Sequence, residues 1–149
     1  MRLRPHYLLS TDPQTFITCI IAQYNISSRT LKVANAGHCL PILKRDGKAE
    51  FISTPEPKYP LGVRNQVYYQ PMELMLQKGD FLLLYSDGLP EAVNGEGKRF
   101  GFENLIGMVE DMDTDSCSSN EIAIDIKRRV QKFSDYQLAD DTTIICLKV

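Results

Sequence analysis

The chain closes on "TTIICLKV", residues 142 to 149, a β-branched strand preceded by two helical stretches and without a strand partner nearby in sequence. A solitary strand leaves its backbone N–H and C=O groups unpaired, so it must insert beside a strand formed much earlier. This requirement folds the end of the chain back onto its middle and fixes more of the topology than any other segment does.

The earlier candidates are readable one by one. "FITCIIAQY", Phe16 to Tyr24, is apolar on both alternating faces, which predicts a strand covered on both sides. "NISSRT" reads as a hairpin loop and "LKVANAG" as the returning strand. "LPILKRDGKAEFIS" reads as two short strands about Asp46-Gly47, a strong hairpin-turn pair. "TPEPKYPLG", with Pro55, Pro57 and Pro60, excludes helix and predicts an ordered surface connection. "VYYQPMELML" has strand composition, with Pro71 pointing to an edge or a bulge. After the "KGD" turn, "FLLLY" predicts a short, fully buried strand.

Phe102, Leu105, Ile106, Val109 and Met112 then recur at helical spacing. A second helix is announced by Ser118 and Glu121, spaced as a capping box, and carries the stripe Ile122, Ile126, Val130 and Phe133. Strands and helices are segregated, which predicts an α+β fold with the helices on a sheet face.

If the last strand lies antiparallel to "FLLLY", two acidic sites converge. Asp87, in Ser86-Asp87-Gly88, closes one strand, and Asp140-Asp141 opens the other. Carboxylates brought together repel and call for a cation or a proton, and hard oxygen ligands select Mg²⁺ or Mn²⁺. The plainer readings stand beside this one: Asp-Gly is a common turn dipeptide, and Asp-Asp before a strand is a common loop cap. Asn35-Ala36-Gly37-His38 reads as a strand-ending turn with a hydrogen-bonded structural histidine, and Asn94-Gly95 with Gly97 as a hairpin turn.

A net charge of −2 gives no electrostatic case for nucleic acid or anionic lipid, and no apolar run is long enough to cross a bilayer. The basic N-terminal stretch, with His6 and Asp12, lacks the sustained apolar core of a secretory signal. Cys19, Cys39, Cys117 and Cys146 form no C-x-x-C pair, so a zinc knuckle is not indicated. Cys19 and Cys146 sit in apolar runs and read as small buried hydrophobes in a reducing cytoplasm.

In their order and spacing, "FITCIIAQYN", "LKVANAGHCLPIL", "YPLG", "KGDFLLLYSDGLPEAVNGEGKRFG" and "LADDTTIICLKV" resemble the SpoIIE-type serine phosphatases. These form the sigma-factor-regulating branch of the type-2C metal-dependent protein phosphatases. The resemblance runs from about Thr15 to Val149. It implies part of an α-β-β-α sandwich, two mostly antiparallel sheets with two covering helices, in one domain spanning residues 1 to 149. It further implies hydrolysis of a phosphoserine or phosphothreonine by a water activated between two Mn²⁺ or Mg²⁺ ions. Asp87 and Asp140 match two ligands of one ion, with Asp141 and Gly88 in support, and His38 matches a site-adjacent structural position.

The sequence departs from the family at its start. The Gly-Asp motif whose carboxylate bridges both ions has no counterpart, and Asp12 in "TDPQT" does not match it. The expectation is the C-terminal portion of the phosphatase domain, holding at most one weakly bound ion, with little or no turnover. The implied partners are a phosphorylated anti-anti-sigma-like regulatory protein, the remaining phosphatase half or an upstream sensor domain, and a second copy of the chain. A non-catalytic binding or scaffold module derived from the same fold is the alternative.

Overall fold

A computed structural model describes residues 15–149; the N-terminal stretch, including His6 and Asp12, lies outside the described residues. Six strands, two helices and a final strand follow in the expected order. They form two antiparallel sheets and belong to two compact units.

The first unit runs through Leu40 and resumes at Ser53–Leu76. Its sheet has the order β1-β2-β5, with β1 at Cys19–Asn25, β2 at Thr30–Ala36 and β5 at Met72–Met75. The β1–β2 turn is held by the Asn25 carboxamide, which accepts from Ser28 N–H at 3.0 Å, and by Arg29 at φ 53°. The core strand is β2, which buries Leu31, Val33, Ala34 and Ala36. The strand begins at Cys19 rather than Phe16; Ile17 instead exchanges both backbone hydrogen bonds with Leu61, at 2.9 and 2.8 Å.

The expectation that this first strand is covered on both faces does not hold. None of its seven residues is fully buried, and Phe16 and Ile17 before it are 60% and 49% exposed. The physical reason is position: β1 is an edge strand, paired among the described residues with β2 alone. An edge strand has a lateral neighbour on one side only, so its side chains lack the cross-strand neighbours that shield those of a central strand on both sides. The segment "VYYQPMELML" is strand only after Pro71, at the other edge, where a missing N–H does least harm. The proline-rich connection is ordered by Tyr69, whose hydroxyl donates to the Tyr59 carbonyl at 2.7 Å.

The second unit comprises Pro41–Ile52 and Gln77–Val149. Its sheet has the order β4-β3-β6-β7, with β3 at Ile42–Arg45, β4 at Lys48–Phe51, β6 at Phe81–Tyr85 and β7 at Ile144–Lys148. Asp46 and Gly47 turn the β3–β4 hairpin with φ of 50° and 78°, the two positive values that a tight two-residue loop requires. Central β6 is paired on both sides; Phe81, Leu82 and Leu83 are 1% exposed or less. Each contributes roughly 2 kcal/mol relative to exposure.

Helix α1, Gly101–Asp111, packs on β3 and β4, and α2, Ser119–Phe133, packs on β7. Leu105, Met108 and Val109 of α1 and Ile122, Ile126 and Val130 of α2 are buried. Phe102, expected in the α1 stripe, is half exposed and meets the edge of Phe51. Two lysines satisfy open carbonyls, one set at the end of α1 and one in the loop before α2. Buried Lys44 donates to the carbonyls of Glu110 and Met112 at the α1 C-terminus, and Lys148 donates to those of Asp115 and Cys117 before α2.

Sheet and turn are joined by an ion pair within the same unit. Arg45 reaches Asp80 with two hydrogen bonds, of 2.9 and 2.6 Å, and Asp80 also accepts from Gln77 N–H at 2.7 Å. Burial acts to raise the Asp80 carboxyl, but the Arg45 hydrogen bond, the Gln77 N–H and the guanidinium charge outweigh it. The group titrates below the usual carboxylate value. Cys19 and Cys146, expected to be fully buried, are only partly so. Even so, burial pushes the Cys146 thiol up to about 11.

Candidate functional site

The chain's last strand is antiparallel to β6, in the register Leu84↔Ile145 and Tyr85↔Ile144. The next pair along this ladder is Ser86 with Thr143, and the chain turns immediately after it. The turn is tight: Leu89 N–H donates to the Ser86 carbonyl at 3.2 Å and Glu91 N–H to the Asp87 carbonyl at 2.9 Å. Asp87 is therefore the first residue beyond the sheet rim, and its side chain is exposed.

On the facing segment, Asp140 and Asp141 are exposed and precede β7 by a few residues. One Asp140 carboxylate oxygen, Oδ1, accepts from Asp141 N–H at 2.8 Å, which orients the side chain at the start of the turn. The two segments touch through backbone. Ser86 N–H donates to the Thr143 carbonyl at 3.1 Å, and Ser86 Oγ bonds both Thr143 N–H at 2.9 Å and the Asp141 carbonyl at 3.2 Å.

Gly88 explains the close approach. A Cβ at this buried position would lie 2.6 Å from the Asp141 carbonyl oxygen and 3.1 Å from Thr142 Oγ1. Farther along the loop, Gly95 N–H donates to Asp135 Oδ2 at 3.1 Å, a second tie between this loop and the segment that leads to Asp140. The intervening Asn94 turn is a hairpin, as expected, with Val93 bridged to Arg99.

The two segments that meet at the rim carry the exposed carboxylates of Asp87 and Asp140, both hard oxygen donors. That chemistry fits one Mg²⁺ or Mn²⁺ completed by water. Among the described residues there is no group of three or more His, Cys, Asp or Glu side chains able to hold a metal ion.

His38 belongs to the other compact unit. Its backbone is locked by Asn35, whose side chain accepts from His38 N–H at 2.8 Å and donates to the His38 carbonyl at 3.0 Å. Gly37 sits at φ 75°, and a Cβ there would lie 2.6 Å from the Pro60 ring. The imidazole differs from the expectation: its Nδ1 is buried with no hydrogen-bond partner.

Sequence reasoning passed over Ser86 and the Arg45–Asp80 pair. For Ser86 a signal was present: a hydroxyl residue at the last ladder position before Asp-Gly, opposite Thr-Thr. For Arg45 there was none, because an exposed-looking hairpin charge and a turn aspartate are 35 residues apart.

Comparison with known proteins gives a consistent result. The family model of stage II sporulation protein E, SpoIIE, matches residues 3–149. The chain is 30% identical over 142 residues to the phosphoserine phosphatase RsbU of Bacillus subtilis (strain 168), covering 93% of this chain and 41% of that protein. Among solved structures, the Mn-presoaked SpoIIE phosphatase domain from Bacillus subtilis superposes with a TM-score of 0.70 at 17% identity, over 89% of this chain and 56% of that one. The PP2C domain of SiaA from Pseudomonas aeruginosa gives 0.74 at 19% identity, over 89% and 51%. The chain thus spans about two fifths of the curated relative and about half of these structures.

Proposed function

The chain belongs to the SpoIIE family, and from that premise we propose that it is the rim-forming portion of a metal-dependent phosphatase acting on phosphoserine or phosphothreonine. The substrate class we assign is a small phosphorylated regulatory protein of the anti-anti-sigma type, in a cytoplasmic signalling pathway that controls a sigma factor. The partners we assign are the remaining phosphatase half, an upstream sensor domain and a second copy of the chain.

The reading is supported chiefly by the β6–β7 register, which brings Ser86–Gly88 against Asp141–Thr143. In it, Asp87 and Asp140 hold one Mn²⁺ or Mg²⁺, Asp141 supports Asp140, and Gly88 permits the approach. When bound, such ions supply a water of lowered pKa and neutralise charge on the phosphoryl oxygens. The chain's own contribution is placement: the paired strands β6 and β7 carry the turns bearing the two carboxylates to one end of the sheet, where both side chains are exposed to water. His38 is a structural residue in this reading.

Two carboxylates without a bridging third hold a divalent ion weakly, because Mg²⁺ keeps most of its waters in such a site. Titration of the full chain with Mn²⁺, followed by paramagnetic broadening of amide signals, should therefore broaden residues around Asp87 and Asp140 at high metal concentration only. Asp87→Asn should abolish that broadening together with any Mn²⁺-dependent hydrolysis of p-nitrophenyl phosphate. Broadening that survives the substitution removes Asp87 from the site. The second reading, a binding or scaffold module without chemistry, predicts no broadening at the rim in the unaltered chain.

A further inference from the structure

We propose that Ser86 is a positioning residue, whose hydroxyl replaces a backbone carbonyl and clamps the Asp140–Asp141 segment against the turn that carries Asp87. The inference rests on the metal-binding reading of those carboxylates, and it assigns a role to a side chain that is not itself a metal ligand in that reading.

In an antiparallel ladder, hydrogen-bonded pairs alternate with non-bonded ones, and a bonded pair exchanges two N–H to C=O bonds. Along β6 and β7 the register Leu82↔Leu147 and Leu84↔Ile145 leads to Ser86 opposite Thr143. One bond of that pair is made: Ser86 N–H donates to the Thr143 carbonyl at 3.1 Å. The return bond, from Thr143 N–H to the Ser86 carbonyl, is not available. That carbonyl has turned with the chain and accepts from Leu89 N–H at 3.2 Å.

The side chain takes over. Thr143 N–H donates to Ser86 Oγ at 2.9 Å, and the hydroxyl donates in turn to the Asp141 carbonyl at 3.2 Å. A hydroxyl carries one donor and two acceptor lone pairs, so both bonds coexist. The Asp141 carbonyl is thereby fixed from two directions, bonded by Ser86 and abutted by Gly88. The ladder gains one more rung than its backbone alone could provide, at the point where the chain must already be leaving the sheet to expose Asp87. An alanine supplies neither bond. Threonine keeps the hydroxyl, and valine copies the shape of threonine without it.

The test uses the full chain and three variants, Ser86→Ala, Ser86→Val and Ser86→Thr. Amide hydrogen exchange is read without metal, and Mn²⁺ affinity is read by paramagnetic broadening. The Thr143 amide should exchange about tenfold faster in the alanine and valine variants and at the unaltered rate in the threonine variant. Leu82 and Leu147, deeper in the ladder, should keep their protection throughout. Mn²⁺ affinity should fall by about tenfold or more in the alanine and valine variants and recover with threonine.

Unchanged Thr143 exchange in both hydroxyl-free variants overturns the clamp. Faster exchange with undiminished Mn²⁺ affinity overturns the positioning role. Loss of protection at Leu82 and Leu147 in all three variants makes Ser86 a packing residue and overturns the proposal as well. Absence of rim broadening in the unaltered chain refutes the metal-binding reading, and with it the role assigned to Ser86, whatever the Thr143 amide does.

Discussion

Strand β6 buries Phe81, Leu82 and Leu83 to 1% exposure or less, whereas β1, apolar at five of its seven positions, buries none of them. The two differ in position. β6 has a strand on each side in a four-stranded sheet whose unit also contains both helices, and β1 closes a three-stranded sheet at its edge. Met75, on the opposite edge of the smaller sheet, is 68% exposed. Apolar composition therefore measures how much cover a strand needs, and topology decides whether it receives it. The candidate chemistry belongs to the better-packed sheet, in the turn that follows its most buried strand.

The largest effect that can break this contrast is expected from the polar lock inside the four-stranded unit. Asp80 is 2% exposed and depends on Arg45 for its charge partner. Arg45→Ala leaves that carboxylate buried and unpaired and should cost about 3 kcal/mol, the low end for such lesions because the Arg45 side chain is 28% exposed. The pH dependence has a definite sign. The folded-state value of Asp80 is lowered, so its contribution is fully present above the ordinary carboxylate range and is lost as pH falls through the lowered value. Denaturant melts from neutral pH into acid should show that acid-labile increment in the unaltered chain and a smaller one in Arg45→Ala. A variant as stable as the parent at neutral pH removes the lock from the account.

How much could be read in advance follows the same division between local and long-range causes. The Asp46-Gly47 hairpin and the Ser118–Glu121 cap are local: their residues dictate backbone geometry within four positions, and both form. The pairing of the last strand with "FLLLY" was legible for a different reason, since a solitary terminal strand has few places to go. The exposure of β1 was not legible, because periodicity records side-chain type and not the number of neighbouring strands. Arg45 was out of reach because its partner Asp80 lies 35 residues away with no local signal, whereas Ser86, 57 residues from Thr143, carried one in its position at the end of the β6–β7 pairing. The unpartnered Nδ1 of His38 was equally out of reach, since the turn containing it was readable and its side-chain surroundings were not.

A smaller effect sharpens the contrast from the other unit. Gly37 and Gly47 have nearly the same φ, 75° and 78°, so alanine is strained to a similar degree at either. Their surroundings differ: a Cβ at Gly37 meets the Pro60 ring at 2.6 Å, and one at Gly47 meets nothing within 4 Å. Gly47→Ala should cost about 1 kcal/mol from backbone strain alone, and Gly37→Ala about 2 kcal/mol, the excess being the clash. Chemical denaturation of the two variants reads the difference directly. Equal losses mean that the loop containing Pro60 gives way, and that the smaller unit is softer at this turn than its geometry suggests.

The smallest effect concerns the start of α2, which packs on the same β7 that leads back to the rim. Ser118 Oγ accepts from Glu121 N–H at 3.3 Å, while one Glu121 carboxylate oxygen, Oε2, accepts from Ser118 N–H at 2.8 Å and from its hydroxyl at 2.7 Å. Ser118→Ala removes the first and last of these bonds and should cost about 1 kcal/mol. The lesion should stay local. Lys148 holds the carbonyls of Asp115 and Cys117 independently of the cap, so the segment entering α2 retains an anchor on β7. Amide exchange should accordingly rise in the first turn of α2 and remain unchanged at Thr143. If Thr143 exchange rises as well, helix capping and rim geometry are coupled through β7, and the rigidity credited to β6 is shared with the helix that covers its neighbour.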